Sequence, residues 1–302
     1  MSQKFAFVFP GQGSQTVGML DSLLAESPQI VKPVCEEAAD VLGYDIATLI
    51  AKDPEQLLNK TEYTQPALLT VGYISWLVWQ QQNSVQPKYL AGHSLGEYTA
   101  LVCAQAMSFT EGLKLVAKRG ELMQQAVAPG AGAMAAVLGL GLEEVNQVCA
   151  NIDPQLGIVQ AANINAPGQI VIAGTTKAVE LASEELKKSG AKKVIMLPVS
   201  VPSHCQLMRP AADKFASFLS AVKWQKPLIQ VIHNYDVKAH NDAASICEAL
   251  QKQLYSPVRW VETVEYFVQQ DIEEIIESAP GKVLTGLNKR IAPALWEHGY
   301  AG

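Results

Sequence analysis

The stretch YLAGHSLGEYTALVC, residues 89–103, decides the reading of this chain. Tyr89-Leu90-Ala91 reads as a short strand, and from Leu95 apolar residues recur at helical spacing through Cys103. Between them, Gly92-His93-Ser94-Leu95-Gly96 fits Gly-x-Ser-x-Gly. In that motif a serine sits on a strained strand-to-helix turn, its hydroxyl raised above the sheet edge as a nucleophile. Side chains at the two glycines would collide in so tight a turn. The helix that follows aims free N–H groups at the site, and the backbone N–H of Leu95 can donate to a developing oxyanion. The pattern arises by chance in roughly one chain in ten of this length, so context has to decide. The plainer alternative is a strand-turn-helix connection with a capping serine.

Upstream, KFAFVFPGQGSQ (4–15) reads as a buried strand ending in a glycine-rich turn. Helical segments follow, with expected breaks near Pro28, Pro33, Gly43 and Pro54, and an apolar helix from Pro66 to Gln82. Downstream, Ala128-Pro129-Gly130-Ala131-Gly132 reads as a linker. After it come a strand near 133–139, a helix near 142–150 and a strand near 157–164. A strand near 169–173, a helix near 178–188 and a strand near 193–198 complete the series. This β-α-β-β-α-β order is that of the ferredoxin-like unit. The fold class expected is α/β: a hydrolase-like main domain with a parallel sheet, residues 1–128 and 199–302, carrying an inserted ferredoxin-like subdomain, 129–198. A further strand is expected at 229–233.

The 302 residues are 49% hydrophobic and 17% charged, the balance of an ordinary globular chain. The net charge of -6 and the lack of a basic stretch argue against nucleic acid. No apolar run reaches membrane-spanning length and no secretory signal is visible, so the cytoplasm is the expected compartment. The five cysteines form no CxxC pair, and neither a disulfide framework nor a metal site is expected.

A serine nucleophile needs a general base. Of the five histidines, His93 should project away from the site, His233 should be packed in the core, and His240 should be solvated in a polar loop. His298 should lie in a frayed carboxyl tail. His204 follows a strand in the turn Val201-Pro202-Ser203-His204, where α/β enzymes place ligand-facing residues. It is the candidate base; the alternative is a histidine at a helix start. The only aspartate between Ser94 and His204 is Asp153, inside the insert. A serine–histidine dyad, its imidazole oriented by a main-chain carbonyl, therefore fits better than a three-member triad.

Further segments carry a resemblance. FVFPGQGSQ (7–15), TQPAL (64–68), GHSLGEYTALV (92–102) and KRGELMQ (118–124) are followed by NAPGQIVIAG (165–174), LPVSVPSH (197–204), QLYSPVRW (253–260) and PGKVLTGL (280–287). In this order, and over nearly the whole chain, they resemble the malonyl-CoA:acyl carrier protein transacylases of bacterial-type fatty acid synthesis. The resemblance implies a two-step transfer with no cofactor. Ser94 takes malonyl from malonyl-CoA, and the phosphopantetheine thiol of acyl carrier protein takes it from Ser94. It implies His204 as base and acid, the backbone N–H groups of Gln12 and Leu95 as oxyanion donors, and Arg119 as holder of the malonyl carboxylate. It implies Gln253 as the residue that positions the serine–histidine pair, its carbonyl orienting His204, and Asn165 as a residue near the substrate entrance.

Two departures stand out. Ala279 precedes Pro280 where the family often has glycine, and His233 stands where asparagine is common. The competing readings are a serine hydrolase, disfavoured by the lack of an acidic triad member, and a non-catalytic carrier-binding module, disfavoured by an intact Ser94, His204 and Gln253. An acidic carrier protein would need a basic rim. Lys187, Lys188, Lys192 and Lys193, with Lys282, Lys289 and Arg290, are the candidates. The chain is expected to act as a monomer.

Overall fold

The computed structural model describes residues 4–199 and 201–300. Its strands, in chain order, are β1 (Phe5–Phe9), β2 (Tyr89–Gly92), β3 (Gly132–Leu138), β4 (Val159–Ala166), β5 (Gln169–Thr175), β6 (Lys193–Met196), β7 (Gln230–Ile232), β8 (Glu274–Ser278) and β9 (Trp296–Tyr300). They form two sheets. One is wholly parallel, in the order β7-β2-β1-β8-β9. The other is antiparallel, in the order β4-β5-β3-β6. The architecture is the α/β main sheet with a small ferredoxin-like unit that the alternation of elements led us to expect.

The parallel sheet is covered on both faces, which is why β1 can be apolar at every position. On one face Phe7 packs edge-on to Trp76 of the helix Thr61–Gln82, ring centroids 5.2 Å apart. On the other, Ala6 and Val8 meet Val264 and Phe267 of the helix Trp260–Gln269. Each large apolar side chain removed from water contributes about 1.5–3 kcal/mol, so this double coverage fixes the sheet on which the site is built.

Two prolines lie inside helices, Pro33 where a break was expected and Pro66 where a helix was expected to begin. Pro33 lies inside the helix Pro28–Leu42, and Pro66 inside Thr61–Gln82. A proline leaves the carbonyl four residues back without its helical donor. Those carbonyls belong to Gln29, which is exposed, and Glu62, which is partly exposed, and the buried apolar faces of the two helices hold them across the missing bonds. In the small sheet, β6 ends at Met196, short of Pro198, because proline has no N–H to give the ladder. The expected strand start at Gly157 is instead a turn with φ +125°, and β4 begins at Val159.

The small sheet is tied directly to a loop of the main domain. Val258 of the main domain donates to the Ala162 carbonyl at 2.9 Å, and the Ile164 amide donates back to the Val258 carbonyl at 2.9 Å. Among the described residues, no helix is long and apolar enough to cross a membrane, and no three His, Cys, Asp or Glu side chains converge on a possible metal site.

Candidate active site

The carboxyl ends of β1, β2 and β7, three adjacent strands, deliver the loops of the site, as expected at the open end of a parallel sheet. After β2 the chain turns through Ser94 at φ +53° and enters the helix Gly96–Cys103. A Cβ on Gly92 would lie 1.9 Å from the Gly96 carbonyl carbon, and one on Gly96 would lie 2.1 Å from the Phe9 carbonyl oxygen. Only glycine fits either position. A left-handed serine costs on the order of 1 kcal/mol or more, and something must hold it there. That holder is Asn234, after β7. Its Oδ1 accepts from the Ser94 N–H at 2.7 Å, and its Nδ2 donates to the Gly92 carbonyl at 2.7 Å.

His204 is buried, and its Nε2 lies 2.7 Å from the Ser94 Oγ. Its Nδ1 lies 2.7 Å from the main-chain carbonyl of Gln253. A carbonyl can only accept, so Nδ1 carries the proton and Nε2 is left with a lone pair for the serine hydroxyl. Burial, and then the positive charge of Arg119, pull the His204 pKa down to about 3. The imidazole is therefore neutral at any ordinary pH.

Arg119, on the helix Phe109–Gln125, is 1% exposed. Its Nη1 donates to Gln65 Oε1 at 2.8 Å, and its Nη2 donates to Gln253 Oε1 at 3.0 Å and to Ser94 Oγ at 3.3 Å. The guanidinium lies over the Tyr98 ring, 5.1 Å from its centroid. All these partners are uncharged. A buried cation held only by neutral groups, beside a serine hydroxyl, is suited to receive an anion.

A second layer was not foreseen in the sequence. Glu97, fully buried, accepts from His233 Nδ1 at 2.7 Å, from the Asn234 N–H at 2.9 Å and from Gln253 Nε2 at 2.9 Å. Glu97 thus stands behind both Asn234 and Gln253. His233 is packed in the interior, as expected, and Glu97 is its partner. The other histidines differ from expectation. His93 does not project away: it lines the cavity, and its Nε2 lies 2.8 Å from Asn165 Oδ1. His240 is not a solvated loop residue, because its Nε2 lies 2.9 Å from Asp236 Oδ2 and its ring centroid 5.0 Å from that of His233. His298 is not in a frayed tail, because β9 pairs with β8 as an edge strand.

A cavity of about 470 Å³ opens onto Ser94 between the two sheets. Gln12, His93, Leu95, Arg119 and His204 line it from the main domain, and Met134, Asn163 and Leu197 from the small one. Gln12 is brought to the nucleophile because Gly11 packs on the turn; a Cβ there would lie 2.4 Å from the His93 carbonyl oxygen. Among the described residues, neither the Gln12 nor the Leu95 amide donates to a backbone carbonyl. Asn165 stands behind His93, off the cavity wall; Asn163 lies on it, with a buried Oδ1 that has no protein donor. Lys60, absent from the expected basic rim, also lines the cavity.

The family model for the acyl transferase domain matches residues 6–290. The malonyl CoA-acyl carrier protein transacylase of Salmonella typhimurium is 50% identical over 292 residues, covering 97% of this chain and 94% of its own. The structure of an acyl carrier protein S-malonyltransferase from Vibrio cholerae superposes with a TM-score of 0.95 at 52% identity, covering 98% of this chain and 96% of its own. A malonyl-transacylase solved in complex with its type II PKS acyl-carrier protein gives a TM-score of 0.96 at 48% identity, with coverage of 98% and 96%. Matches of this identity along nearly the full length make the chain a member of the acyl transferase family, among the malonyl CoA-acyl carrier protein transacylases.

Proposed function

We propose that this enzyme transfers malonyl from malonyl-CoA to the phosphopantetheine thiol of acyl carrier protein, supplying extender units for fatty acid synthesis. The observation that carries this reading is the pairing of a serine–histidine dyad with a buried, neutrally partnered guanidinium 3.3 Å from the nucleophile.

In the first half-reaction, the Ser94 Oγ attacks the thioester carbonyl while His204 Nε2 takes the hydroxyl proton. The oxyanion is received by the N–H groups of Gln12 and Leu95. Collapse breaks the C–S bond, His204 returns its proton to the leaving CoA sulfur, and a malonyl-serine ester remains. In the second half-reaction, His204 takes the proton of the carrier thiol, the sulfur attacks the ester, and the proton goes back to Ser94 Oγ. Arg119 holds the malonyl carboxylate in both halves, and an acetyl group would leave that cation unpaired. Gln253 serves the dyad through its carbonyl and Arg119 through its side chain. Asn165 acts by fixing His93 on the entrance wall.

The same reading assigns residues 1–128 and 199–302 to the catalytic domain and 129–198 to the insert, with the enzyme acting as a cytoplasmic monomer. An acidic carrier would dock against Lys60 and the exposed Lys187, Lys192, Lys193, Lys282 and Lys289. Lys188 is partly occupied by Glu185 at 2.7 Å, and Arg290 by Gln169 and by the Pro167 carbonyl.

Intact-mass analysis after mixing with malonyl-CoA tests the proposal. One malonyl group should be found on the Ser94 peptide, and Ser94→Ala should acquire none. Labelling elsewhere, or equal labelling of that variant, would refute it.

A further inference from the structure

Glu97 is a buried ionisable group, next to the site, that the reaction leaves unused. It stands in the first turn of the helix that follows the nucleophile, closed to solvent. Two of its hydrogen bonds lead back to the site. Through the Asn234 N–H it anchors the residue that clamps both sides of the Ser94 turn. Through Gln253 Nε2 it anchors the side chain that receives Arg119.

The Gln253 amide lies between opposite charges. Its Oε1 faces the Arg119 guanidinium at 3.0 Å, while its Nε2 faces Glu97 Oε2 at 2.9 Å and the Ser94 carbonyl at 2.9 Å. A primary amide can be seated either way round. Here only one way satisfies both neighbours, oxygen to the cation and NH₂ to the anion. Reversed, it would point donors at the guanidinium and leave each of two buried charges one hydrogen bond short. His233 completes the carboxylate's shell from the far side at 2.7 Å.

We infer that Glu97 is a positioning residue for the malonyl-selective reaction, acting through Gln253 on Arg119 and through Asn234 on Ser94. This role rests on the roles proposed above for Ser94 and Arg119. It has a signature that support of the fold alone would lack. Acetyl transfer needs the serine turn but not the arginine, so loss of Glu97 must lower malonyl transfer more than acetyl transfer.

The test is the single-turnover loading of the full-length enzyme with malonyl-CoA and with acetyl-CoA. Glu97→Gln keeps the size and removes the charge. Its malonyl kcat/KM should fall roughly tenfold to a hundredfold, the loss of a charge-assisted buried hydrogen bond, and its malonyl-over-acetyl preference should fall with it. The melting temperature should stay close to that of the parent. His233→Leu, which strips a donor from Glu97, should shift the preference the same way. His233→Asn, which keeps a donor, should recover most of that loss. If Glu97→Gln does not fold, the His233 pair decides. An unchanged preference in Glu97→Gln, or in His233→Leu where that alone can be measured, overturns the role; so does proportional loss of both acyl groups. A parent enzyme that acquires no malonyl on Ser94 would instead refute the proposed function, so the two failures are distinct.

Discussion

The Arg119 guanidinium stands 3.3 Å from the hydroxyl oxygen of Ser94, in a site whose histidine, His204, is buried. A cation so near the nucleophile suits an acyl group whose carboxylate is one methylene from the reacting carbonyl. It offers nothing to a neutral acyl group.

Arg119→Ala should therefore reduce malonyl loading roughly a hundredfold or more, because the substrate carboxylate is left buried and unpaired. Acetyl loading should fall far less. Rapid-quench measurement of both rates checks this, and equal losses would remove the carboxylate role.

The acid side of the pH profile should be displaced. The proposed base, His204, can accept a proton only when neutral, and burial and the charge of Arg119 lower its pKa from the ordinary 6.5 to about 3. A lowered pKa keeps the base neutral further into acid. Loading measured after brief pH jumps should stay nearly flat from neutrality to about pH 4 and fall only near pH 3. With acetyl-CoA as donor, Arg119→Ala should move that fall to higher pH, since one cause of the lowering is gone. A limb near pH 6.5 in the parent would contradict the geometry.

Gly92 at the end of β2 and Gly13 in the loop after β1 should be intolerant for different reasons. Gly92→Ala places a Cβ against the backbone of Gly96, and should cost about 3 kcal/mol in urea unfolding together with activity. Gly13 has a φ of +104° and nothing within 4 Å of an added Cβ, so Gly13→Ala should cost roughly 1–3 kcal/mol of backbone strain without a clash.

Asn163 should matter for binding more than for chemistry. Its buried, donor-free Oδ1 on the cavity wall is an acceptor for an amide N–H such as those of a phosphopantetheine arm. Asn163→Ala should raise KM for both thiol partners roughly threefold to tenfold with little change in kcat, the size of one neutral hydrogen bond.

Local patterns in the sequence carried much of this. The apolar run of β1, the glycine pair around Ser94 and the alternation of strands and helices in the insert are short-range signals, and each corresponds to a described element. The choice of His204 and of a carbonyl-oriented dyad followed from scanning for acids and bases. Arg119 and Gln253 were legible only by resemblance, because an arginine beside Lys118 reads as surface and a glutamine at a helix end reads as solvated. Glu97 was invisible for a different reason. An acid in the first turn of a helix is ordinary, and its partners His233 and Gln253 lie 136 and 156 residues away in the chain. Pro33 misled as a break and Pro66 as a helix start, because the packing that carries a helix past a proline is a tertiary property.

The most direct test of the central claim is the fate of the isolated malonyl-enzyme. Freed of CoA and divided between buffer and the phosphopantetheine form of an acyl carrier protein, it should lose malonyl rapidly to the carrier thiol and only slowly to water. Rapid discharge in buffer alone, with no malonyl recovered on the carrier, would show a hydrolase and contradict the account.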